Sequence, residues 1–473
     1  MTIETSVPSA TREPGTYHEF NTTSSRGLTP ISWRVALVGA RKASTSGAKN
    51  TPTRMFARTD GEIWGVGSEI DLMVKSAFKA ATKYGKSPEI WACAEDDAGA
   101  SVAATYTLTV TGTATASGDV TIRIAGRTIR AGVTTDDSAI VAATALKSAI
   151  DAMAADLPVA ATRTDGVVTC TAINKGVNGN DIRTPTVVDS PAGITVVAAA
   201  GVTGTGSYDV TACLDALADK QYHSVAIANH LAVDVTDLKA YTLARANPGV
   251  KAWSNGFLAE IGSLATATTL ATNCNDEYES IITAEAFPNV TGEIAAQVAT
   301  SVAAEEKTYK SFDGVELDLY PPPLASVYTH TEIETALAAG VTPLTINQTQ
   351  DGAKIVRLVT TKTNVGGAPF ENLLDISNIR TLVYRAIQQD IRQTRDFRRQ
   401  SRTARTMARM KTAALDVDYQ LEALGYLQNV DAHKAEYLVE QDAIVLTRAN
   451  LSLPASVVPN LHQLCTVHIL VIE

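Results

Sequence analysis

Large aromatic side chains are nearly missing from the middle of this chain: between Trp91 and Tyr208 the one aromatic residue is Tyr106. Thr, Ala, Val and Gly dominate there, so whatever core forms in that stretch is small and aliphatic. Cysteine is also thin. Cys93, Cys170, Cys213, Cys274 and Cys465 lie far apart with no CxxC pair, which excludes a zinc module and a disulfide scaffold and fits a reducing compartment. No apolar run approaches the roughly 20 residues that a membrane-spanning helix needs. The first fourteen residues are polar and lack the basic start and apolar run of a secretory signal, so the expectation is a soluble, intracellular product with no membrane insertion.

Catalytic patterns are missing too. His18, His223, His230, His330, His433, His462 and His468 include no HxH or HExxH pair, no GxSxG elbow is present, and no cysteine has a histidine near it in a recognisable motif. No catalytic, cofactor-binding or metal-ligating residue is assigned, and the expectation is a chain that is not an enzyme. Forty basic against fifty acidic residues gives a net charge of −10, which argues against a protein that coats nucleic acid.

What is present is ordinary globular material. A length of 473 residues suggests about three domains, and 45% hydrophobic with 19% charged residues rules out wholesale disorder. Residues 1–30 are rich in Ser, Thr, Pro and Gly and read as an extended N-terminal arm that a partner must hold. A strand at 33–39 follows, then a helix over 69–84 with Ser68 as N-cap and Gly85 past its end, then a strand at 88–94. After the aromatic-poor stretch the alternation resumes: a helix around Leu214 and Leu217, strand 224–228, helix 235–246, strand 250–257, helix 263–271, strand 280–286 and an Ala-rich helix at 291–305. Strands alternating with helices of this length imply a mainly parallel sheet covered on both faces.

The fold class is therefore mixed α/β and multi-domain. Residues 31–96 and 207–320 form a discontinuous αβ core. Residues 97–206 form an inserted β-rich domain, in which Tyr106, Leu108 and Val110, then Val120, Ile122 and Ile124, then Ile129, Ala131 and Val133 alternate with a period of two. Asp165-Gly166 marks a hairpin turn and 138–153 a helix. Residues 321–435 continue the αβ core, with a capping box at Thr331 and Glu334, a strand at 355–361, a long helix from 375 to about 410 and a further helix at 413–427. Residues 436–473 are β-prone, with no helix left to pack on them.

Three local patterns invite a chemical reading. The glycine-rich stretch 61–68 (GEIWGVGS) precedes a helix but lacks the Walker ending and GxGxxG spacing, so it reads as a turn plus N-cap. Residues 174–181 (NKGVNGND) have too few carboxylates for a calcium loop and read as a connecting turn. Asp96-Asp97 and Glu305-Glu306 are sequence neighbours, a poor geometry for acid–base work.

The basic helix stands out. Between 378 and 411, ten basic residues face Asp390 and Asp396, a local +8 that leaves −18 on the rest of the chain. Arg385, Arg392, Arg395, Arg399, Arg402 and Arg409 keep to one broad stripe, with Ile376, Ile379, Leu382, Val383 and Ile387 roughly opposite. An exposed helix normally mixes signs. The stripe reads as a docking surface for an acidic partner. Nucleic acid suits it less, because no aromatic residue interleaves to stack on bases. Pairing with acidic groups of neighbouring copies is the alternative.

The order and spacing of several short blocks carry a further reading. Pro14-Gly15-Thr16-Tyr17 precedes Val35-Ala36-Leu37-Val38-Gly39; residues 106–126, Pro158-Val159-Ala160-Ala161 and Asn180-Asp181-Ile182 follow; and Ile355-Val356-Arg357-Leu358-Val359-Thr360-Thr361 leads into the basic helix. Over most of its length the chain resembles the tail sheath proteins of contractile-tailed, Mu-like bacteriophages. The resemblance implies an αβ core with an outward insertion, and terminal arms that complete sheets in neighbouring copies. It implies a homo-oligomeric helical polymer around a tail tube protein, with baseplate and tail terminator as further partners. Contraction would drive the tube into the host envelope. It implies no cofactor, assembly in the host cytoplasm and a place in the virion, with the arginine stripe facing the tube. The other readings are a cytoplasmic αβ enzyme and a β-rich surface-binding protein.

Overall fold

A computed structural model describes residues 28–42, 45–97, 99–369, 374–398, 400–401, 403–445, 447–460 and 462. The N-terminal arm before Leu28 and the β-prone residues from 463 on, Cys465 and His468 among them, lie outside the described residues. The chain divides into two compact units: Ser32–Val383 with the residues from Pro459, and Tyr384–Val458 with the residues up to Ile31.

The larger unit is built on a nine-stranded sheet. Six strands run parallel in the order Val341–Ile346, Glu279–Thr283, Asn255–Glu260, Ser224–Ile227, Arg34–Arg41, Glu89–Asp96. Short antiparallel strands finish the edges, Thr53–Met55 on one side and Ala353–Ile355 with Glu316–Leu317 on the other. The parallel strands are buried almost throughout, which is why Val35 to Val38 read as a continuous apolar run. The sheet takes in Val341–Ile346, so the core extends past residue 320.

The helix Glu69–Tyr84 starts where the sequence indicates. The Ser68 hydroxyl accepts from the Asp71 amide at 3.4 Å, and Gly85 closes the helix at φ +65°. It packs against the helix Thr291–Ala304, all of whose residues are buried. Gly292 permits that approach, since a Cβ there would lie 2.9 Å from Met73 Cγ and 3.0 Å from Ala228 Cβ.

Strands between 105 and 200 form two sheets of their own. One has the order Ile194–Ala200, Thr105–Gly112, Val167–Ala172, Val159–Thr164; the other Arg127–Val133, Gly118–Ile124, Thr186–Asp189. The helix Ala139–Ala152 packs on them through Ala142, Ala143, Leu146 and Ile150. Asp165 makes the expected hairpin turn at φ +50°. The aliphatic core built by these elements also takes in Leu72 and Val290 from the helical layer of the main sheet.

Several expectations need correction. The long helix is broken: it runs Ile376–Phe397, and a second helix runs Ala404–Ala423. The arginine-rich residues between them continue a helical spacing, but Thr403 caps the second helix by accepting from the Thr406 amide at 3.1 Å. The capping box is Thr329 with Glu332, two residues earlier than Thr331 and Glu334. The strand placed at 355–361 is the short edge strand Ala353–Ile355 and then irregular chain, because Val359 makes only an isolated bridge to Asp375. The strand placed at 250–257 is Asn255–Glu260.

Candidate assembly surfaces

The smaller unit carries both features that the sequence singles out for assembly. Its core is Leu415, Val417, Leu421, Leu427, Val430 and Tyr437, with Tyr384 stacked on Tyr426 at 5.2 Å. At its centre is Asp418, fully buried on the second helix. Arg385 donates from Nε to Asp418 Oδ1 at 2.8 Å and from Nη2 to Oδ2 at 2.6 Å, and the Tyr437 hydroxyl donates to Oδ2 at 2.5 Å. Arg385 also donates to the carbonyls of Leu453 at 3.1 Å and Pro454 at 2.8 Å. Burial alone would lower the pKa of Arg385, but the Asp418 carboxylate reverses the direction and raises it.

The six arginines of the stripe therefore do not share one fate. Arg385 points inward as a structural partner of Asp418. Arg392 is drawn to carboxylates of its own chain, 2.9 Å from Asp396 and 3.0 Å from Asp416. Arg395 is 39% exposed and lies 3.2 Å from Asp396. Arg409 is exposed, with Nη1 donating to Gln400 Oε1 at 3.3 Å and its guanidinium over Phe397. Arg399 and Arg402 lie outside the described residues. Arg398 and Arg405, which the stripe left out, are exposed. Asp416 and Asp418 escaped the sequence reading because they fall beyond the charge run; an aspartate inside the apolar stripe of Ala414, Leu415 and Leu421 was the available signal.

The β-prone C-terminal region pairs with itself where it is described. Leu438–Gln441 runs antiparallel to Ala449–Ser452. Asp442 organises the turn, accepting from the amides of Val445 at 2.8 Å and Ile444 at 3.0 Å, and those bonds with Asn450 hold its carboxyl down at about 2. The hairpin leaves Leu438 49% and Ile444 90% exposed. Contrary to the expectation that no helix is left for this region, the strand Leu438–Gln441 packs on the helix Ala404–Ala423, while these two side chains stay exposed.

In the larger unit, the carboxyl ends of the parallel strands are where an α/β enzyme would place its site. Here the chain fills that position itself. Glu69 accepts from the Tyr208 hydroxyl at 2.6 Å, from Asn178 Nδ2 at 2.7 Å and from the Ala40 amide at 2.8 Å. Asn174 accepts from the Glu69 amide at 2.8 Å and donates to the Arg41 carbonyl at 2.9 Å. The 174–181 stretch is thus a connection, ending in the 3-10 turn Val177–Asp181, in which Asn174 binds the strand Arg34–Arg41 and Asn178 binds Glu69. Beside it His230 lies 3.6 Å from Asp181 and 3.7 Å from Glu260. Burial pushes the Asp181 carboxyl up to about 7 and that of Asp234 to about 6. Among the described residues no three His, Cys, Asp or Glu side chains converge as a metal site.

No protein-family model matches the sequence. It is 29% identical over 395 residues to the Mu-like prophage FluMu tail sheath protein of Haemophilus influenzae, spanning 80% of this chain and 78% of that protein. The chain is a relative of Mu-like tail sheath proteins. That likeness is to a structural protein of a phage tail, and the role it suggests is taken up below. The fold agrees. The anti-feeding prophage helical sheath in its contracted state superposes with a TM-score of 0.51 at 12% identity, covering 96% of this chain and 98% of that one. The baseplate of the same particle in its contracted state gives 0.50 at 10% identity, covering 97% and 99%. In a sheath relative, the Asp418 hub and the asparagine-filled strand ends serve to hold the subunit together.

Proposed function

We propose that this chain is a structural subunit of a contractile phage tail sheath, that it polymerises with its own copies into a helical tube around a tail tube, and that it acts mechanically rather than as a catalyst. Repeated heterologous contacts that fail to close give such helical assemblies. The observation that carries the reading is the identity to a sheath protein along four-fifths of the chain.

The terminal segments supply the contacts in this reading. The hairpin Leu438–Gln441 and Ala449–Ser452 offers strand edges and exposed apolar side chains, and residues 1–30 offer a polar, extendable strand to add to it. The tube-facing surface is narrowed to the exposed arginines, Arg395 and Arg409 with Arg398 and Arg405 beside them. Baseplate and tail terminator would contact the ends of the polymer, and the assembled product belongs to the virion.

Deleting residues 1–20 tests the strand exchange. The expected product is a folded monomer with unchanged circular dichroism that no longer forms tubes. Long tubes from the truncated chain would rule out a role for the N-terminal arm.

A further inference from the structure

Cys93 and Cys213 are 120 residues apart in the chain, and the fold brings their sulfurs to 2.8 Å. That is longer than the ~2.05 Å of a disulfide bond and shorter than ordinary packing of two thiols. Both side chains are buried. Cys93 lies in the strand Glu89–Asp96, the last core strand before the chain departs into the 97–206 segment. Cys213 lies in the helix Thr211–Leu217, the first core element after the chain returns. The pair therefore sits at the neck of that segment. Asn50 Oδ1 lies 3.5 Å from the Cys213 sulfur.

We propose that Cys93 and Cys213 form a latent disulfide that ties the two ends of the 97–206 segment to the core sheet, and that a small peroxide closes it. One thiol gives up its proton and, as thiolate, attacks the peroxide O–O bond; the hydroxide that leaves takes up that proton, giving a sulfenic acid and water. The second sulfur then displaces the hydroxyl of that sulfenic acid, which leaves as a second water. Two electrons pass from the two sulfurs to the peroxide, and two thiols with one hydrogen peroxide become one disulfide and two waters.

The surroundings set the pace of this reaction. The Cys93 thiol beside it and burial both push the Cys213 thiol up, so Cys213 is slow to ionise. The pair would persist as thiols in a reducing compartment and close on long exposure to an oxidising one. Once formed, the bond would constrain a ring holding the whole of 97–206. The inference depends on the fold alone and stands whether or not the subunit polymerises as proposed.

The test uses the full chain, incubated with hydrogen peroxide or with dithiothreitol, then denatured and alkylated. Non-reducing peptide mapping should find the Cys93 peptide joined to the Cys213 peptide, two fewer alkylated thiols than in the reduced sample, and a higher melting temperature that dithiothreitol reverses. Cys93→Ser and Cys213→Ser should each abolish the temperature shift; the wild-type peptide map decides the matter even if a variant folds poorly. Both cysteines still alkylated after peroxide treatment just below the melting temperature would overturn the proposal. So would their recovery as sulfinic acids, or joined to other cysteines.

Discussion

Arg127 and Glu293 form a buried ion pair between a strand of the 97–206 segment and the fully buried helix behind the main sheet, with side-chain exposures of 6% and 4%. Arg127 Nη1 donates to Glu293 Oε2 at 3.2 Å and to the Ala125 carbonyl at 2.8 Å, and Asn289 Nδ2 donates to the same carboxylate at 2.9 Å. Removing one partner strands a charge in the interior, so Arg127→Met should cost about 3–5 kcal/mol. Adding Glu293→Leu should return part of that loss. Urea unfolding of the two single variants and the double variant measures the coupling, and purely additive losses would show that the pair is not a unit.

The contact bears on whether residues 97–206 are a separable domain, as we propose. Simple excision would uncover Leu72, Val290 and the Glu293 carboxylate, all covered by that segment. Joining residue 96 to residue 207 should therefore give a soluble, folded protein only when these three are changed as well, for instance to Ser, Thr and Gln. Loss of the far-ultraviolet helix signal even in the repaired variant would show that the core depends on the insertion.

Asp181 gives a pH dependence of definite sign. Its ordinary pKa is 3.8, and burial pushes it up to about 7 in the folded chain. Between those values the folded chain holds a proton that the unfolded chain has released. The stability associated with that proton is present in full at low pH and is lost as the pH rises to about 7. Asp181→Asn removes the titration and should flatten the profile, melting above the wild type at pH 8. Melting temperatures from pH 4.5 to 8 check this, and an unchanged slope would contradict it.

The basic residues should separate into two classes. Arg385→Ala leaves Asp418 buried and unpaired and should destabilise the smaller unit by about 3–5 kcal/mol, seen as a lower urea midpoint. Reversing Arg395, Arg398, Arg405 and Arg409 to Glu should change stability little, since exposed pairs contribute only about 0.2–1 kcal/mol each. It should instead weaken salt-sensitive binding of the tube while sparing self-assembly, measured by co-sedimentation at low and high ionic strength.

Much of the fold was legible because burial on both faces leaves a plain mark. Val35 to Val38, Ser68 with Gly85, and Asp165 with Gly166 each announce their element through local chemistry. What escaped was non-local or competitive. Arg385 reads as one of a row of exposed cations until Asp418, 33 residues on, is folded against it. Residues 398–402 keep a helical spacing, yet the Thr403 cap ends the continuity. Cys93 and Cys213 carry no motif, and only the return of the chain after the insertion places them together.

The account rests on polymerisation, and electron microscopy of the purified full-length protein in negative stain measures it most directly. It predicts hollow tubes of constant diameter that lengthen with protein concentration. Discrete small oligomers at every concentration and salt tested would contradict it.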